Sequence, residues 1–443
     1  MFSYKEATDY VNSFINYEKK PDFSYNKRLL NLERMRYLLS LIDNPHRSFK
    51  AIHITGTKGK GTTSAITASI LRKAGYKVGL YTSPHLVSPR ERIRIGERLI
   101  DEEEFAYFLF QIKKRIEKRR KPSSSNFTFF EIYTALAFLY FAYQKVDLAV
   151  VEVGLGGRLD ATNVVFPLVA VITQISFDHI KQLGDSLSSI AKEKAGIIKE
   201  GIRVITSPQD EAALSVIEET CREKKAFLYF VGRDVKFEKI KSSLEGQTFS
   251  LQTRKKSYPY LFLPLLGEHQ VINAATAIGA TELLSEDGIF VSEEAVVQGL
   301  REVRWPGRLQ LISKEPFFIV DCAHNGASAR ALASFLKKNF SAGKVFLILG
   351  ISRNKDVEAI GRALCPLADE LILTEADNPR ALPCEELKKR LSKLCQKRIT
   401  LKKNVGSAIR YAQSLAKKDD LICLTGSVYL AGEALKILGE KNV

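Results

Sequence analysis

The sequence is poor in the residues that build disulfide or zinc frameworks. Its six cysteines include no C-x-x-C pair, which argues against both kinds of framework and suits a reducing cytosol. The longest apolar run, around residues 135–143, is too short to span a bilayer and contains tyrosines. The first residues lack a basic segment followed by an apolar stretch and a small-residue cleavage site. We therefore expect a cytoplasmic protein.

Signatures of nucleic-acid-binding proteins are also missing. The net charge of +17 fits either a nucleic-acid partner or small polyanionic substrates. The basic runs at 113–121 and 388–398 are interleaved with apolar positions at helical spacing, which is typical of solvated helix faces. No helix-turn-helix, RNP-like or zinc-finger pattern accompanies them. The charge alone does not decide between the two partners.

Alternating strand-like and helix-like segments run through all 443 residues, without repeats or low-complexity tracts. This pattern predicts an α/β fold. We expect an N-terminal P-loop-type domain with a mostly parallel sheet, an antiparallel side sheet at about 230–265, and a smaller C-terminal Rossmann-like α/β domain. The segment "VRWPGRLQ" (303–310) holds the only tryptophan and a Pro-Gly pair, so we place the domains at 1–303 and 304–443.

A glycine-rich loop, "HITGTKGKGTTSA" (53–65), departs from the common nucleotide loop G-x-x-x-x-G-K-[ST]. Its lysine, Lys60, precedes Gly61 and Thr62 instead of following the second glycine. Because the loop follows a predicted strand and opens a predicted helix, its amides and the helix N-terminus converge on one spot. Lys60 would add a point charge there, and Thr62 a hydroxyl. The alternative is a glycine-rich turn without a ligand.

Three further side chains end predicted strands. Ser83 lies in "YTSPH", Glu152 in "VEVGLGGRLDATN", and His179 in "QISFDHIKQLG". Loops at the carboxyl ends of strands in an open α/β sheet share one crevice, so these residues could converge near the phosphate loop. Their oxygen and nitrogen ligands suit Mg²⁺ or Mn²⁺. A strand-end Glu or His can equally be a satisfied local hydrogen-bonding group.

Seven stretches together resemble one family: "GTKGKGTT", "TSPHLVSPRERI", "EVGLGGRLDATN", "SFDHIKQLG", "AKEKAGIIK", "WPGRLQ" and "DCAHN". They are similar to the folylpolyglutamate synthase and dihydrofolate synthase family, a branch of the ATP-dependent Mur ligases. The resemblance runs in the family's order from about Asn31 to Gly432. The loop is therefore similar to this group's own variant, G-T-x-G-K-G-[ST].

The resemblance implies a set of site residues. For ATP it implies Gly59, Lys60, Gly61, Thr62, Asn273, Arg308 and Asp321, and for magnesium it implies Ser83, Glu152 and His179. For the pterin it implies Asn31, Leu32, Glu33, Arg34, Thr128, Phe129, Phe130, Glu131, Leu159, Asp160 and Ala161. For glutamate, His324 and Ser427 are the candidates, and Lys60, His179 and Lys194 are the implied catalytic residues. From the residues alone, Phe129 and Phe130 suit stacking on a heterocycle or packing in a helix core.

Lys194 would otherwise be one solvated lysine among many. In the resembling family this position is a lysine carbamoylated by CO₂. Carbamoylation would turn a cation that repels Mg²⁺ into a carboxylate-like group. The resemblance therefore implies Mg²⁺, ATP as co-substrate, and a CO₂-derived carbamate on Lys194.

The chain departs from the family's pattern at a few positions. Lys58 stands where asparagine is usual, and Asn31 where glycine is common. Cys322 and Gly326 replace a frequent glycine and proline, while Asp321 and His324 are retained. We expect activity to be intact.

The implied function is an ATP-dependent acid–amino-acid ligase that adds L-glutamate to folates, and also to dihydropteroate, through an acyl phosphate. We expect small-molecule partners only, with no nucleic acid or membrane, and a monomer. One alternative is a Mur-type ligase for cell-wall precursors; the pterin-site segments and the lack of an extra N-terminal domain argue against it. The other is a nucleic-acid-stimulated P-loop ATPase.

Overall fold

The computed structural model describes residues 2–18, 30–118, 127–178, 180–340 and 343–439. Two main sheets and one side sheet make up its β-structure. None of the described helices is long and apolar enough to cross a membrane.

The first sheet has eight strands, and its centre is parallel. Its strands are β1 (Lys50–Thr55), β2 (Val78–Tyr81), β3 (Ile93–Ile95), β4 (Arg98–Leu99), β5 (Leu148–Glu152), β6 (Val169–Ile172), β7 (Arg203–Thr206) and β8 (Phe227–Phe230). They lie in the order β4-β3-β2-β5-β1-β6-β7-β8, with only β3 and β4 antiparallel to their neighbours. Every residue of β5 and β6 is buried, as their continuous apolar runs predict for strands covered on both faces.

Helices cover both faces of this sheet. They are α1 (Tyr4–Asn12), α2 (Leu32–Leu41), α3 (Lys60–Lys73), α4 (Glu102–Glu117), α5 (Phe129–Tyr143), α6 (Ile180–Leu183), α7 (Leu187–Ala195), α8 (Glu211–Glu223), α9 (His269–Leu283) and α10 (Glu293–Glu302). Helices α3, α9 and α10 share one apolar core with one face of the sheet. On the other face, α1, α2, α4 and α5 form a second core and α7 and α8 a third.

A side sheet of three antiparallel strands packs beside this layer. It consists of β9 (Lys236–Ser243), β10 (Gly246–Gln252) and β11 (Ser257–Leu263). Alternate residues such as Phe249, Leu251, Leu261 and Leu263 are buried in the α9 core. This alternation is the pattern expected of an antiparallel sheet with one covered face.

The second main sheet follows the tryptophan-containing segment. Its strands are β12 (Gln310–Lys314), β13 (Phe317–Val320), β14 (Val345–Leu349), β15 (Glu370–Leu373), β16 (Arg398–Leu401) and β17 (Leu421–Thr425), in the order β12-β13-β17-β14-β15-β16. All are parallel except β12. The accompanying helices are α11 (Gly326–Asn339), α12 (Val357–Leu364), α13 (Cys384–Leu391), α14 (Val405–Leu415) and α15 (Val428–Ile437). The predicted fold class is thereby confirmed, while the boundary at 303/304 stays a prediction.

Strand β1 lies between β5 and β6 in the first sheet, and each of them is parallel to it. The chain segments that follow these strands therefore emerge at the same edge. An open parallel sheet binds ligands in the crevice outside such carboxyl ends.

Candidate active site

The phosphate loop joins β1 to α3. Its Gly59 precedes α3 with a φ of +86°, and a Cβ there would lie 2.1 Å from Asn273 Oδ1, so only glycine fits. The amides of Thr57 and Lys58 each donate to Gln174 O at 3.0 Å. No described side chain caps α3. The first amides of this helix are therefore available to an anion, which the helix dipole also favours.

Two lysine amines meet at the start of this loop. Lys194 Nζ donates to Gly56 O at 2.7 Å, and Lys60 Nζ donates to the same oxygen at 3.2 Å. Lys194 comes from α7 and is 4% exposed. Burial lowers the pKa of Lys194 well below its usual value, and the charge of Lys60 acts in the same direction. Both effects favour the neutral form of the Lys194 amine.

Ser83 and Glu152 converge as their positions at strand ends predict. The Ser83 amide donates to Glu152 Oε2 at 3.0 Å. Burial raises the pKa of Glu152, while the positive charges of Lys60 and Arg308 act in the opposite direction. His179, the third predicted metal ligand, lies outside the described residues. Within the described ranges, no group of three or more His, Cys, Asp or Glu side chains is arranged to hold a metal.

A cleft of about 270 Å³ lies between the first sheet and the second. Its lining from the first sheet includes Glu18, Asn31, Ser83, Thr128, Phe130, Glu131, Leu159, Asp160 and Ala161. Its lining from the second sheet includes His324, Ser352, Asn354, Lys355, Arg380, Ser427 and Tyr429. Most of the predicted pterin-site residues thus face both predicted glutamate-site residues across one cavity.

The segments at the first-sheet end of the cleft are tied together by Arg34 and Glu131. Arg34 Nε donates to both carboxylate oxygens of Glu131 at 2.9 Å. Glu131 also accepts from the Thr128 amide at 2.8 Å, which caps α5. Asn31 caps α2, with its Oδ1 accepting from the Glu33 amide at 2.8 Å. Its φ of −127° is open to any residue, so asparagine here does not strain the segment.

The two adjacent phenylalanines of α5 have different surroundings. Phe130 lines the cleft and packs against Gly154, where a Cβ would lie 2.5 Å from the ring. Phe129 is 4% exposed and packs in the helix core against Tyr133 and Arg92. Leu32, Glu33, Arg34 and Phe129 are not among the described residues that line the cleft. Only one of the two rings is placed to stack on a ligand.

Three of the predicted ATP-binding residues, Asn273, Arg308 and Asp321, lie outside the phosphate loop. Asn273 contacts Gly59, and Trp305 packs over Gly61 at 3.0 Å from a Cβ position. Asp321 accepts from the amides of Leu309 at 2.9 Å and Ala323 at 2.7 Å. Its carboxylate therefore holds the segment that carries Arg308 in place.

Two of the departures from the family pattern lie beside this segment. The amide of Cys322 donates to Gly307 O at 3.0 Å, and a Cβ at Gly307 would lie 2.9 Å from the Cys322 sulfur. Gly326 begins α11 against Ala359, 2.9 Å from a Cβ position. Both small residues fit closely packed positions.

Asp178 is a link between the two sheets that sequence reasoning did not single out as functional. Its carboxylate lies 3.4 Å from Lys58 Nζ, 3.4 Å from Lys355 Nζ and 3.1 Å from Asn325 Nδ2. His324 Nε2 is 4.0 Å away. Lys58, which replaces the family's usual asparagine, thus pairs with Asp178. Burial lowers the pKa of Lys58 to about 8 in spite of this ion pair.

Glu18 and Arg92 form a second link that was missed. Arg92 is 1% exposed and donates to Glu18 through two nitrogens at 2.8 and 2.6 Å. Arg380, from the second sheet, donates to Glu18 O. These residues are far apart in the chain and form no local motif. Only the tertiary fold brings them together, and Glu18 and Arg380 line the cleft.

Comparisons with known proteins agree with this arrangement. Residues 54–281 match the Mur ligase middle domain, and residues 307–428 match the Mur ligase glutamate ligase domain. The chain is 34% identical over 439 residues to a Bacillus subtilis protein, dihydrofolate synthase/folylpolyglutamate synthase, covering 98% of this chain and 99% of that one. It is also 34% identical to folylpolyglutamate synthase of Lacticaseibacillus casei, with 99% and 100% covered.

Solved structures are similar over the same length. The Mycobacterium tuberculosis folylpolyglutamate synthase complexed with ADP has a TM-score of 0.90 at 32% identity, with 98% of each chain covered. Escherichia coli FolC in complex with DHPP and ADP has a TM-score of 0.84 at 30% identity, covering 99% of this chain and 98% of that one. On the strength of two matched domains and full-length relatives, this chain belongs to the folylpolyglutamate synthase and dihydrofolate synthase family of the Mur ligases.

Proposed function

We propose that this chain is an ATP-dependent ligase that adds L-glutamate to folates, and also to dihydropteroate. The observation that carries the proposal is one cleft lined by Phe130, Glu131 and Asp160 on one side and by His324 and Ser427 on the other. Asp178 joins Lys355 of this cleft to Lys58 of the phosphate loop. Relatives that match over 86% or more of their length are named for these two activities. Such a cleft suits a flat heterocycle at one end and an amino acid at the other.

The proposed reaction has two steps. A carboxylate of the folate attacks the γ-phosphorus of ATP, which forms an acyl phosphate and releases ADP. The amine of glutamate then attacks the acyl carbon, and the tetrahedral intermediate expels phosphate as the amide forms. Lys60 and the N-terminal amides of α3 would stabilise the charge that develops on the transferred phosphoryl group.

The first-sheet residues also fit a magnesium ion. Glu152 is 4% exposed, and no described lysine or arginine forms an ion pair with it, although Lys60 and Arg308 favour its ionised form from a greater distance. Ser83 and Glu152 offer the oxygen ligands that Mg²⁺ prefers, and His179 remains a proposed third ligand. When bound, the metal would neutralise charge on the phosphates of ATP.

Lys194 is the residue we propose to be carbamoylated. A neutral amine can attack CO₂, forming a nitrogen–carbon bond and releasing one proton to give a carbamate anion. The burial of Lys194 and the neighbouring Lys60 both favour that neutral amine. The carbamate would reverse the sign of the charge at this position and draw Lys60 and a metal toward it.

The second-sheet end of the cleft suits carboxylates. Lys355 and Arg380 bring two positive charges to this end of the cavity, where the lining also includes Ser352 and Ser427. We propose that these groups, with His324, bind L-glutamate. Burial lowers the pKa of His324 to about 3, so it would act as a neutral hydrogen-bonding group.

We further propose a cytoplasmic monomer that acts without nucleic acid. All six cysteines are free and buried, which suits a reducing compartment. A cell-wall precursor ligase and a nucleic-acid-stimulated ATPase are the rival functions. ADP release that requires both glutamate and a folate, and that does not change with added DNA, RNA or a uridine-nucleotide peptide, would exclude both rivals.

The deciding assay supplies dihydropteroate or tetrahydrofolate separately, each with glutamate and Mg-ATP. We expect dihydrofolate from the first and a glutamate-extended folate from the second, each with stoichiometric ADP. The two acceptors differ by one glutamyl unit, so each must bring its own carboxylate to the γ-phosphate in the same cleft. Extension of tetrahydrofolate alone would restrict the function to polyglutamate synthesis. Turnover of neither would contradict the proposal.

A further inference from the structure

A chain of buried polar groups leads from the centre of the first sheet to the cleft. His53, on β1, is 0% exposed, and its Nε2 lies 2.8 Å from Thr162 Oγ1. Thr162 Oγ1 in turn lies 2.5 Å from Asp160 Oδ1. Asp160 is 5% exposed and lines the cleft. None of the proposed catalytic steps uses His53 or Thr162.

The number of available hydrogens limits which group donates in each of these two hydrogen bonds. The Thr162 hydroxyl has one hydrogen, so it donates to one partner and accepts from the other. In the first arrangement Asp160 is ionised, Thr162 donates to it, and His53 donates from Nε2. In the second, Asp160 is protonated and donates to Thr162, Thr162 donates to Nε2, and the hydrogen of His53 is on Nδ1.

The surroundings of His53 Nδ1 distinguish the two arrangements. This nitrogen is buried and has no hydrogen-bond partner among the described residues. A buried N–H without a partner is rarer and more costly than a buried acceptor without one. The first arrangement leaves only an acceptor lone pair at Nδ1, so it is the favoured one.

The contacts of Asp160 agree with an ionised carboxylate. In addition to the Thr162 hydroxyl, it accepts from the Thr162 amide at 3.0 Å and from the Leu155 amide at 2.9 Å. Burial raises the pKa of Asp160, and these three donors, together with the Gly154 amide, oppose that effect. Oδ1 accepts both hydrogen bonds from Thr162, so Oδ2, which accepts from the Leu155 amide, is the oxygen left to accept from a group in the cleft.

We propose that His53 is a positioning residue which, through Thr162, holds Asp160 as an acceptor-only group for the N–H edge of the heterocycle in the cleft. This inference rests on the proposed function, because the folate supplies the heterocycle. A planar ring that presents an N–H donor fits the remaining acceptor site of this carboxylate, and an analogue that lacks the donor leaves that site unpaired.

Conservative and disruptive substitutions test the relay. His53→Leu and Thr162→Val remove the hydrogen bonds, whereas His53→Gln retains an N–H near the Nε2 position and Thr162→Ser retains the hydroxyl. We expect the two disruptive variants to raise the dissociation constant and KM for the folate about tenfold. The KM for ATP and kcat at saturating folate should change less than about threefold, and the conservative variants should restore folate binding.

The double variant provides a second readout. If both residues act through one relay, His53→Leu combined with Thr162→Val should be no worse than the more severe single variant. The proposal would be overturned if the increases in folate KM of the two single variants multiplied in the double variant. Equal increases in the KM values for folate and ATP would also overturn it. So would unchanged folate binding in folded Thr162→Val protein. His46→Leu, at a histidine that packs near Phe138, is the matched control and should leave folate binding unchanged.

A spectroscopic measurement separates this inference from the proposed function. With ¹⁵N-labelled histidine, the chain gives six ring systems, and His53→Gln assigns one of them. We expect His53 to carry its hydrogen on Nε2; a hydrogen on Nδ1 would overturn the relay. Wild-type protein that binds no folate would contradict the proposed function, and the nitrogen spectrum would still decide the relay.

Discussion

Lys58 Nζ lies 3.4 Å from Asp178 Oδ2, so an ion pair joins the phosphate loop to the segment that follows β6. The other carboxylate oxygen lies 3.4 Å from Lys355 Nζ, which belongs to the second sheet. One carboxylate thus connects the proposed ATP site with the proposed glutamate site. The position of Lys355 in the cleft depends on it.

Asp178→Asn should therefore weaken glutamate binding. The substitution leaves Lys58 and Lys355 without their shared counter-charge, and they would repel each other. We expect the KM for glutamate to rise about tenfold, with a smaller change in the KM for ATP. Steady-state kinetics with each substrate varied in turn measure this. Asp185→Asn, at an exposed position nearby in the chain, is the control, and equal behaviour of the two variants would refute the link.

Glu152→Gln should lower turnover by about a hundredfold or more without lowering thermal stability. The substitution removes a proposed metal ligand and also removes a buried charge, so the fold should lose nothing. Turnover as a function of Mg²⁺ concentration and a melting curve measure the two effects. Glu200→Gln, at an exposed position, is the control. Normal turnover at modest Mg²⁺ would show that Glu152 holds no essential metal.

Lys194→Ala should be nearly inactive and partly rescued by acetate, which can supply the missing anion. Lys192→Ala, on the exposed side of the same helix, should stay active. Carbon-13 spectra after addition of labelled bicarbonate should contain a carbamate signal in wild-type protein that the Lys194 variant lacks. An active preparation without that signal would contradict carbamoylation.

Acid should destabilise the fold through three histidines whose pKa values are lowered. Burial lowers the pKa values of His46 to about 4 and of His53 and His324 to about 3, against 6.5 for an ordinary histidine. Between pH 6.5 and 4 the unfolded chain binds more protons, so the free energy of unfolding decreases as the pH falls. Each such histidine adds about 1.4 kcal/mol per pH unit to the slope of the free energy of unfolding against pH.

Urea unfolding at several pH values measures this dependence. Carboxylates add slopes of their own, so the informative quantity is the difference between wild type and His53→Gln. Between pH 6.5 and 4, we expect the free energy of unfolding of the variant to change with pH less steeply than that of wild type, by the slope that corresponds to about one bound proton. Identical slopes would mean that His53 is protonated in the folded protein.

The sequence was sufficient to predict the sheets and the close approach of Ser83 to Glu152. Apolar runs identify buried strands, and polar residues directly after them must share the carboxyl edge of a parallel sheet. Phe129 and Phe130 could not be separated, because both lie in the first turn of α5, and the orientation of that helix depends on tertiary packing. The structure turns Phe130 to the cleft and Phe129 to the core.

Charged pairs between distant segments were beyond sequence reasoning for a different reason. Glu18 and Arg92 are 74 residues apart, and Asp178 and Lys355 are 177 apart. In a chain with 67 lysines and arginines, no local pattern selects the partner of a given carboxylate. Such pairs follow from the fold rather than from a motif.

Gly432 shows how closely the two halves approach each other. It lies inside α15, yet a Cβ there would come within 2.0 Å of Leu86 O in the loop after β2. Alanine favours a helix interior over glycine by about 1 kcal/mol, so the helix by itself would gain from the change. In the whole chain the added methyl would force the halves apart and open the cleft. Selection for a stable helix and selection for a working enzyme therefore act in opposite directions on this residue.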